Sequence, residues 1–574
     1  MTQTPLLVAP VPALAQLSRY SVGRPPFATD LVLDFNEATE PLPVSGAAPD
    51  LADAHCYPWT DRLVGRLAER LGVASDRVIV TCGADDALER AVRSVCCPGR
   101  RAVMMQPTYG MPRRYAILAG TDIATVPWWS GPFPVDRVLA AAGDDAALLF
   151  LVSPNNPTGA ALSRDELLAL VEGLPRTLVV LDQAYREFTD PELDLTELAL
   201  SYPNVVLVRT FSKAWGGAGL RAGYAVGDAR VMDWMWRVGQ PFPVARPTLE
   251  LLEGLVAAGA EPAPARIERV RGERARLAAL LAELGAGPLP SQASFVLARF
   301  ADARWVRTAM AALGVAIRGF PGRAELDDWL RTTLPGQDAA FARLAAAFRT
   351  VLRPEALLFD LDGVIADESE SYRRSVVETA ARYGVALTLD EVSAAKAAGN
   401  ANNDWQLTTR LLAERGVEAS LEEVTERFEA LYQGTPGEPG LCRHERLLVD
   451  PETVRRLAAR LPLAVVTGRP RRDAERFLSD HGLADCFATV VTMDDAPIKP
   501  DPAPVRLALE RLGTRHAWMV GDTPDDLRAA RGAGVLPLGV LAPQDEPERA
   551  RSALVAAGAA RILDRLDDLL EMLP

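Results

Sequence analysis

Short apolar runs recur along the first half of the chain, and amphipathic stretches separate each run from the next. The runs lie at residues 77–82, 147–152, 177–181 and 205–208. Apolar runs of this length between helical patterns indicate buried strands. Strands that alternate with helices are typical of an α/β domain with a mainly parallel sheet. The pattern therefore predicts this fold class for the first half.

A second series of apolar runs follows in the other half, at residues 356–359, 463–466, 489–491 and 517–520. Between the first two of these runs, residues 367–450 have an almost entirely helical pattern with no strand-like run. The pattern predicts a second α/β domain that carries a helical insertion.

The two series meet near Pro354, which follows an amphipathic stretch at residues 337–351. Proline discourages the continuation of a helix, so a boundary is expected just before it. We therefore expect one domain over residues 1–352 and another over residues 353–574. The second would divide into a core at 353–366 and 451–574 and a helical cap at 367–450.

Composition excludes several classes of function. With 574 residues the chain exceeds a single hydrophobic core. Its net charge of −14 argues against a surface for nucleic acid or anionic membrane. Six cysteines without metal or disulfide spacing fit a reducing cytoplasm. The sequence shows neither a signal-peptide pattern nor an uncharged apolar stretch of membrane-spanning length.

Lysine is almost absent from this chain, since only Lys213, Lys396 and Lys499 occur while arginine supplies the remaining basic side chains. Arginine stays protonated and cannot form a Schiff base, whereas a lysine amine can lose its proton and attack a carbonyl. The retained lysines therefore mark candidate active sites. The alternative, a compositional drift from lysine to arginine, explains the surface but not the positions of Lys213 and Lys499.

Several polar motifs follow one another in the first half. Ser-Pro-Asn-Asn-Pro-Thr-Gly stands at 153–159 after a predicted strand, and Asp182 and Tyr185 follow the next strand. Thr-Phe-Ser-Lys at 210–213 and Arg221 come after them. Each motif alone is a weak signal, but their order and spacing resemble the fold-type I pyridoxal-phosphate aminotransferases.

The resemblance implies pyridoxal 5′-phosphate as the cofactor, with Lys213 as the residue that carries it covalently and moves the substrate proton. Asp182 would keep the pyridine nitrogen protonated, which makes the ring an electron sink. The implied contacts to the ring are Tyr109, Asn156 and Tyr185. The implied contacts to the cofactor phosphate are Ala84, Asp85, Thr210, Ser212 and Arg221. Tyr57 would reach the cofactor phosphate of a neighbouring subunit, which implies a homodimer.

Over residues 10–350 the chain is most similar to the histidinol-phosphate aminotransferase branch of that family. The matching segments include Leu-Ser-Arg-Tyr at 17–20 and Leu-Asp-Phe-Asn-Glu at 33–37. The resemblance implies substrate contacts by Tyr20, Asn36, Arg318 and Arg331. A planar guanidinium suits a carboxylate or a phosphate, which glutamate and a phosphorylated substrate present in turn. Residues 38–43 depart from the branch pattern, so the amino acceptor stays open.

Acidic motifs follow the strands of the second half. Asp360 and Asp362 come after the run 356–359, Thr467 ends the run 463–466, and Lys499 lies about thirty residues beyond it. Gly-Asp-Thr-Pro-Asp-Asp at 521–526 follows the last run. Strand ends at the carboxyl edge of a parallel sheet are where α/β sites form. This order resembles the haloacid-dehalogenase superfamily of phosphatases over residues 356–574.

The resemblance implies that Asp360 attacks phosphorus and that Asp362 protonates the leaving alcohol and then activates water. Thr467 and Lys499 would hold the phosphoryl oxygens. Clustered carboxylates need a cation, and oxygen ligands suit Mg²⁺. The predicted metal residues are Asp360, Asp362, Asp522 and Asp526. In the cap, Lys396 belongs to a Gly- and Asn-rich turn at residues 396–405. We expect this turn to contact the substrate, and the alternative is an ordinary helix–helix turn with an exposed lysine.

These observations favour a bifunctional enzyme. Its first half would transaminate a phosphorylated keto compound with glutamate, and its second half would remove the phosphate. Imidazole-acetol phosphate, histidinol phosphate and histidinol fit both halves as consecutive compounds. The alternative keeps both chemistries on another substrate of secondary metabolism, such as an amino sugar phosphate or a phosphoamino acid. A scaffold protein with inactive domains is disfavoured, because Lys213, Asp182, Asp360 and Asp362 are all present.

Overall fold

The computed structural model describes residues 11–18, 24–40, 42 and 55–573, and this part of the chain forms two compact units. The first unit contains residues 33–303 and 317–342 together with the described residues before Arg24. The second contains residues 24–32, 304–316 and 343–573. Across the described ranges no helix has the length and apolar character needed to span a membrane. The domain boundary expected at residue 352 stays a prediction.

A seven-stranded sheet forms the centre of the first unit. Its strands in spatial order are Val78–Thr81, Gly223–Val226, Val205–Thr210, Leu178–Asp182, Ala146–Val152, Arg101–Gln106 and Asp122–Pro127. Only Gly223–Val226 runs antiparallel to its two neighbours, and the other pairs are parallel. Hydrophobic cores cover both faces of the sheet. Burial on both faces explains the continuous apolar runs, and the predicted α/β class is confirmed.

Helices surround this sheet. They span Asp61–Leu71, Gly83–Val95, Met111–Leu118, Val135–Ala142, Arg164–Gly173, Thr196–Leu200, Ala229–Arg237, Arg246–Ala257 and Pro264–Glu283. A smaller antiparallel sheet combines Gly287–Pro288, Phe295–Arg299 and Trp329–Thr333, and Leu31–Leu33 pairs with Val315–Ile317. Two further helices span Ala303–Ala312 and Asp338–Leu352. The last of these lies where the pattern at 337–351 predicts a helix before Pro354.

A six-stranded sheet, parallel throughout, forms the centre of the second unit. Its strands in spatial order are Thr489–Val491, Leu463–Val466, Ala356–Phe359, Ala517–Gly521, Leu536–Val540 and Arg561–Leu563. Its helices are Pro451–Ala458, Arg471–Asp480, Ala503–Leu512, Pro524–Gly532, Pro547–Ala557 and Asp568–Met572. The four runs that the sequence pattern indicates are all strands of this sheet.

Residues 367–450, all of them described, form a largely helical region. In chain order it lies between the strands Ala356–Phe359 and Leu463–Val466 of that sheet. Its helices are Arg374–Arg382, Leu389–Ala398, Asp404–Ala413 and Leu421–Tyr432. Their apolar faces share a core of their own, which includes Phe428 and Tyr432. Short antiparallel pairs, Ala366–Asp367 with Arg446–Leu447 and Gly434–Thr435 with Glu438–Pro439, complete the region. We refer to residues 367–450 as the helical region.

Two candidate active sites

A cavity of about 570 Å³ opens at the strand ends of the first unit. Asp182 ends the strand Leu178–Asp182, Lys213 lies three residues beyond Val205–Thr210, and Asn156 lies four residues beyond Ala146–Val152. All three line the cavity. The carboxyl ends of parallel strands meet at one edge of a sheet, so three motifs that are distant in sequence converge on one space.

Lys213 is half-buried and its Nζ donates to the backbone oxygen of Phe35 at 2.9 Å. Burial, with the positive charge of Arg331 as the next cause, lowers the pKa of Lys213 to about 8. A lysine with this pKa has an appreciable neutral fraction near pH 7, and only the neutral amine attacks a carbonyl. The environment of Lys213 therefore suits covalent attachment of an aldehyde.

Asp182 is buried at the bottom of the same cavity. Burial raises its pKa to about 7, while the backbone N–H of Ala184 donates to its Oδ1 at 3.0 Å and opposes the shift. A buried carboxylate that faces a cavity is stabilised by a cationic partner. A protonated pyridine nitrogen supplies such a partner, so Asp182 fits the cofactor that the motifs imply.

Tyr185 is the centre of a hydrogen-bonded group on the cavity wall. Its hydroxyl accepts from Nδ2 of Asn36 at 2.9 Å and from Nδ2 of Asn156 at 3.4 Å. The Oδ1 of Asn156 in turn accepts from Nη1 of Arg331 at 2.5 Å. The Nη2 of Arg331 donates to the backbone oxygen of Asp34 at 2.9 Å. These bonds fix four of the predicted site residues relative to one another.

An anion cradle lies along the cavity where the helix Gly83–Val95 begins. Thr210 donates to Ser212 Oγ at 2.9 Å, and Arg221 Nη1 donates to the same oxygen at 3.5 Å. The φ of Gly83 is +75°, a backbone conformation that favours glycine. A helix N-terminus with a guanidinium and two hydroxyls suits a phosphate group.

Two further predicted contacts flank the cradle. The hydroxyl of Tyr109 donates to Oδ1 of Asp85 at 2.7 Å, and both side chains line the cavity with Ala84. The bond holds the Tyr109 ring at the cavity wall. The cavity thus combines the buried carboxylate of Asp182, a lysine whose lowered pKa allows a neutral amine, and the anion cradle. This combination fits pyridoxal phosphate.

Arg318 lines the cavity and lies about 6 Å from the rings of Phe35 and Phe320. Its Nη1 is buried and has no hydrogen-bond partner. A buried guanidinium N–H without a partner is costly, and an anionic substrate group would satisfy it. This observation supports the predicted substrate contact.

Two predicted residues lie apart from this cavity. Tyr57 is 72% exposed and stacks on Phe242 with ring centroids 4.6 Å apart, and it does not line the cavity of its own chain. Tyr20 lies outside the described residues. The contact of Tyr57 with a neighbouring subunit stays a prediction.

The second unit places three buried carboxylates together at the edge of its sheet. Asp360 directly follows the strand Ala356–Phe359, and Asp522 and Asp526 follow Ala517–Gly521. Ligand oxygens of all three lie within 4.8 Å of one another. Lys499 Nζ lies 2.8 Å from Asp360 Oδ1 and 2.5 Å from Asp526 Oδ1, and it donates to the backbone oxygen of Val466 at 2.9 Å.

One lysine does not balance this cluster. Burial, and next the charge of Asp526, raises the pKa of Asp360 to about 8, although Lys499 opposes the shift. Burial, and next the charges of Asp526 and Asp360, also raise the pKa of Asp522. The Oδ1 of Asp522 is buried without a hydrogen-bond partner. A Cβ at residue 363 would lie 2.1 Å from Asp522 Oδ2, so Gly363 leaves room for this carboxylate. The donor set fits a hard divalent cation such as Mg²⁺.

Asp362, the fourth predicted metal residue, is not part of this cluster. The Oδ1 of Asp362 accepts from Nε of Arg469 at 2.9 Å and from Nη2 of Arg469 at 2.5 Å. Arg469 was not predicted from the sequence, although it lies only two residues after Thr467, which was predicted to belong to the site. Thr467 is buried, and its Oγ1 accepts from the backbone N–H of Arg469 at 3.2 Å. A ligand role for Asp362 stays a prediction.

Lys396 is the residue of the helical region that was predicted to contact substrate. It lies in the last turn of Leu389–Ala398 rather than in the following turn, and it is buried. Its Nζ pairs with Glu368 at 3.1 Å and with Asp404 at 3.2 Å. All three line a cavity of about 30 Å³ together with Asp360 and Asp362. The helical region therefore supplies part of the lining of the space beside Asp360.

Comparison with known proteins gives a family for each half. The model of aminotransferase class I and II matches residues 21–348. The model of haloacid dehalogenase-like hydrolase matches residues 354–534. The two matches follow one another along the chain, so the predicted fusion is confirmed.

Individual relatives agree with these matches. Histidinol-phosphate aminotransferase of Xylella fastidiosa strain 9a5c is 34% identical over 368 residues, which are 61% of this chain and 98% of that protein. A protein of Phytophthora nicotianae named imidazoleglycerol-phosphate dehydratase is 45% identical over 237 residues, 38% of this chain. The chain spans about half the length of that relative, 52%.

A solved structure shares the fold of the first half. Histidinol-phosphate aminotransferase from Sinorhizobium meliloti, in complex with pyridoxal-5′-phosphate, matches with a TM-score of 0.52 and 28% identity. The match covers 61% of this chain and 95% of that one. Pyridoxal phosphate as the cofactor of the first half is thereby supported.

Borohydride reduction of the protein loaded with pyridoxal phosphate should attach the cofactor irreversibly to Lys213. The chain contains only three lysines, so peptide mass mapping assigns the label without ambiguity. Lys213→Ala should lose the label and keep the circular dichroism spectrum of the wild type. A label on Lys396 or Lys499 in the wild type would contradict this assignment.

Mg²⁺ should raise the thermal unfolding temperature of the second unit, because binding to the folded state stabilises it. Asp522→Asn should abolish this rise, since it removes one of three clustered charges. Asp485→Asn, a change at an exposed aspartate of the same unit, is the matched control and should keep the rise. Scanning calorimetry with and without EDTA measures it. An equal rise in wild type and Asp522→Asn would place the cation elsewhere.

Proposed function

Because the chain belongs to the class I and II aminotransferases and continues into a haloacid dehalogenase-like hydrolase, we propose that it aminates a phosphorylated keto compound and then removes the phosphate. Our best candidates are imidazole-acetol phosphate, histidinol phosphate and histidinol, with glutamate as amino donor. One observation carries the proposal: Lys213 lines a cavity with Asp182, Asn156 and Arg331, and Asp360 lies in a carboxylate cluster beside Lys499.

The names of the relatives support this substrate. Several are called histidinol-phosphate aminotransferase, and that of Aeromonas hydrophila is 35% identical over 295 residues, 82% of its length. The relative from Phytophthora nicotianae carries the name of a dehydratase that acts on another imidazole phosphate. The phosphate survives the first reaction and is the target of the second, so one compound links both sites.

In the aminotransferase site, pyridoxal phosphate would supply an electron sink when it is bound. Lys213 would hold it covalently and, as a neutral amine, would take up and return the substrate proton at its Nζ. Asp182 would keep the pyridine nitrogen protonated. Tyr185 and Asn156, which are hydrogen-bonded to each other, would orient the ring from its oxygen side.

Arg331 and Arg318 hold the anionic group of the substrate. Arg331 is fixed by Asn156 and by the backbone of Asp34. Arg318 offers a buried N–H without a partner. A guanidinium binds carboxylate and phosphate with the same two-pronged geometry, so this pair serves glutamate and the phosphorylated substrate in turn.

In the hydrolase site, Asp360 attacks phosphorus, and the bond from phosphorus to the ester oxygen breaks. Asp362 gives its proton to that oxygen, which leaves as an alcohol. A water molecule then attacks phosphorus and gives a proton to Asp362, and the bond to Asp360 breaks as phosphate leaves. Lys499 offsets the charge of the phosphoryl oxygens. Asp360, Asp522 and Asp526 would hold Mg²⁺, which supplies further charge compensation.

We further propose a homodimer formed through the aminotransferase half and a location in the cytoplasm. Tyr57 and Trp59 are 72% and 63% exposed, and both contact the Phe242 ring. An exposed aromatic group of this kind is typical of a protein interface. Cysteines without disulfide partners fit a reducing compartment.

Two variants test the proposal by separating the reactions. Lys213→Ala should abolish the formation of 2-oxoglutarate from glutamate and leave phosphate release unchanged. Asp360→Asn should abolish phosphate release and leave transamination unchanged. Coupled assays with imidazole-acetol phosphate, histidinol phosphate and Mg²⁺ measure both. If either variant stops both reactions while it stays folded, the two-site proposal is wrong. Activity only on other phosphate esters would favour the alternative, in which both reactions act on a substrate of secondary metabolism.

Arg318→Gln should raise the KM for the phosphorylated substrate by about 10- to 100-fold, since a charge-assisted contact contributes about 1.5–3 kcal/mol. Its kcat should change less, because the contact exists before and during the reaction. Arg299→Gln, at an exposed arginine of the first unit, serves as the control. An unchanged KM in Arg318→Gln would remove this residue from the substrate site.

A further inference from the structure

We propose that Arg469 is a positioning residue for ester hydrolysis, which fixes the carboxylate of Asp362 and makes its orientation depend on the helical region through Glu445. The inference rests on the hydrolase activity proposed above and assigns a role to a residue outside its acidic motifs. Arg469 itself would touch neither phosphorus nor the leaving group. It acts through Asp362.

The contact between Arg469 and Asp362 is asymmetric. Oδ1 of Asp362 accepts from Nη2 at 2.5 Å and from Nε at 2.9 Å. Oδ2 accepts only from Nε, at 3.2 Å. The guanidinium therefore saturates one carboxylate oxygen and leaves the other only weakly engaged. Oδ2 is consequently the oxygen that can exchange a proton with the leaving group.

Arg469 is itself held on every side. Its side chain is 1% exposed, and its guanidinium carbon lies 4.8 Å from the ring centre of Tyr372 and 5.3 Å from that of Phe477. A planar cation between aromatic rings has little freedom to rotate. Its Nη1 donates to Glu445 Oε2 at 3.0 Å. A rigid arginine gives Asp362 a fixed partner.

Glu445 connects this pair to the helical region. Its side chain is 4% exposed, and its Oε1 accepts from Ser371 Oγ and from the Tyr432 hydroxyl, both at 3.0 Å. Ser371 lies where the chain enters the helical region, Tyr432 ends its last helix, and Glu445 lies where the chain returns. Ser371 and Tyr432 thus hold Glu445 in place, and Glu445 is the second carboxylate that pairs with Arg469.

Electrostatics explain why Asp362 needs such a partner. Asp362 lines the cavity with Asp360 and Asp522, and an incoming phosphate adds further negative charge. Once Asp362 has given up its proton, its carboxylate would be repelled by the phosphoryl group without a cation beside it. A buried carboxylate–arginine–carboxylate arrangement is costly to assemble unless every charge is paired. Glu445 of the helical region pairs with the remaining side of Arg469, so the arrangement depends on that region.

The leaving group provides a test that a purely structural role would not affect. Protonation by Asp362 matters for an alkyl ester, whose alkoxide is a poor leaving group. It matters little for p-nitrophenyl phosphate, whose phenolate leaves without a proton. General acid catalysis contributes about 10²–10⁴-fold. Loss of correct positioning should therefore affect the two esters unequally.

We would measure the single-turnover rate of leaving-group release by the full-length, cofactor-loaded protein with Mg²⁺, on histidinol phosphate and on p-nitrophenyl phosphate. This rate reports the first step alone, because Asp362 acts on water in the same way for both esters in the second step. Arg469→Met should lower the rate for histidinol phosphate about 100-fold or more and the rate for p-nitrophenyl phosphate far less. Arg469→Lys should recover part of the loss, because it keeps the charge but not the two-pronged contact. Arg472→Met, at an exposed arginine three residues on, should match the wild type.

A double-mutant cycle relates the effect to its target. Asp362→Asn should show the same inequality between esters, and adding Arg469→Met should cost little more, since both changes remove one function. If Arg469→Met does not fold, Glu445→Gln keeps the side-chain volume and should give the same inequality at smaller size. Equal loss on both esters in these variants would overturn the inference. No hydrolysis of either ester by the wild type would instead refute the proposed hydrolase.

Discussion

Buried charge at the carboxyl ends of parallel strands is the constraint on which both sites depend. Each such charge is stable only where an opposite charge or hydrogen bonds accompany it. In the second unit, Lys499 lies between Asp360 and Asp526 and is the nearest compensation for three clustered carboxylates. In the first unit, burial raises the pKa of Asp182, and the backbone N–H of Ala184 donates to its Oδ1 at 3.0 Å. Asp182 therefore suits a protonated ring nitrogen as its partner, and the carboxylate cluster suits a divalent cation.

The two sites differ in size and in what lines them. The aminotransferase cavity has about 570 Å³, and Arg331 is already fixed beside it. The hydrolase cavity has about 30 Å³, and residues of the helical region supply part of its lining. A large preformed cavity suits glutamate and a larger phosphorylated compound in turn, whereas a lining from an inserted region suits selection among phosphate esters.

Sequence reasoning predicted what local motifs encode. The strand runs, the order of Asp182 and Lys213, and the acidic residues after the strands of the second half all follow from local pattern, and the structure brings them together. Arg469 lies close to the predicted Thr467, but its pairing with Asp362 and Glu445 joins segments that no local pattern relates, so its role was not predicted. Lys396 was expected in a turn, but its ion pairs with Glu368 and Asp404 hold it in the last helical turn. Tertiary charge pairing, rather than propensity, decides such positions.

We propose that both halves act in sequence on one compound, with amination first. This order is tested by kcat/KM for phosphate release from histidinol phosphate and from imidazole-acetol phosphate, under identical conditions with Mg²⁺. We expect the aminated ester to be preferred at least about tenfold (a difference of about 1.4 kcal/mol). Equal or faster hydrolysis of the keto ester would contradict it, because the second half would then destroy the substrate of the first.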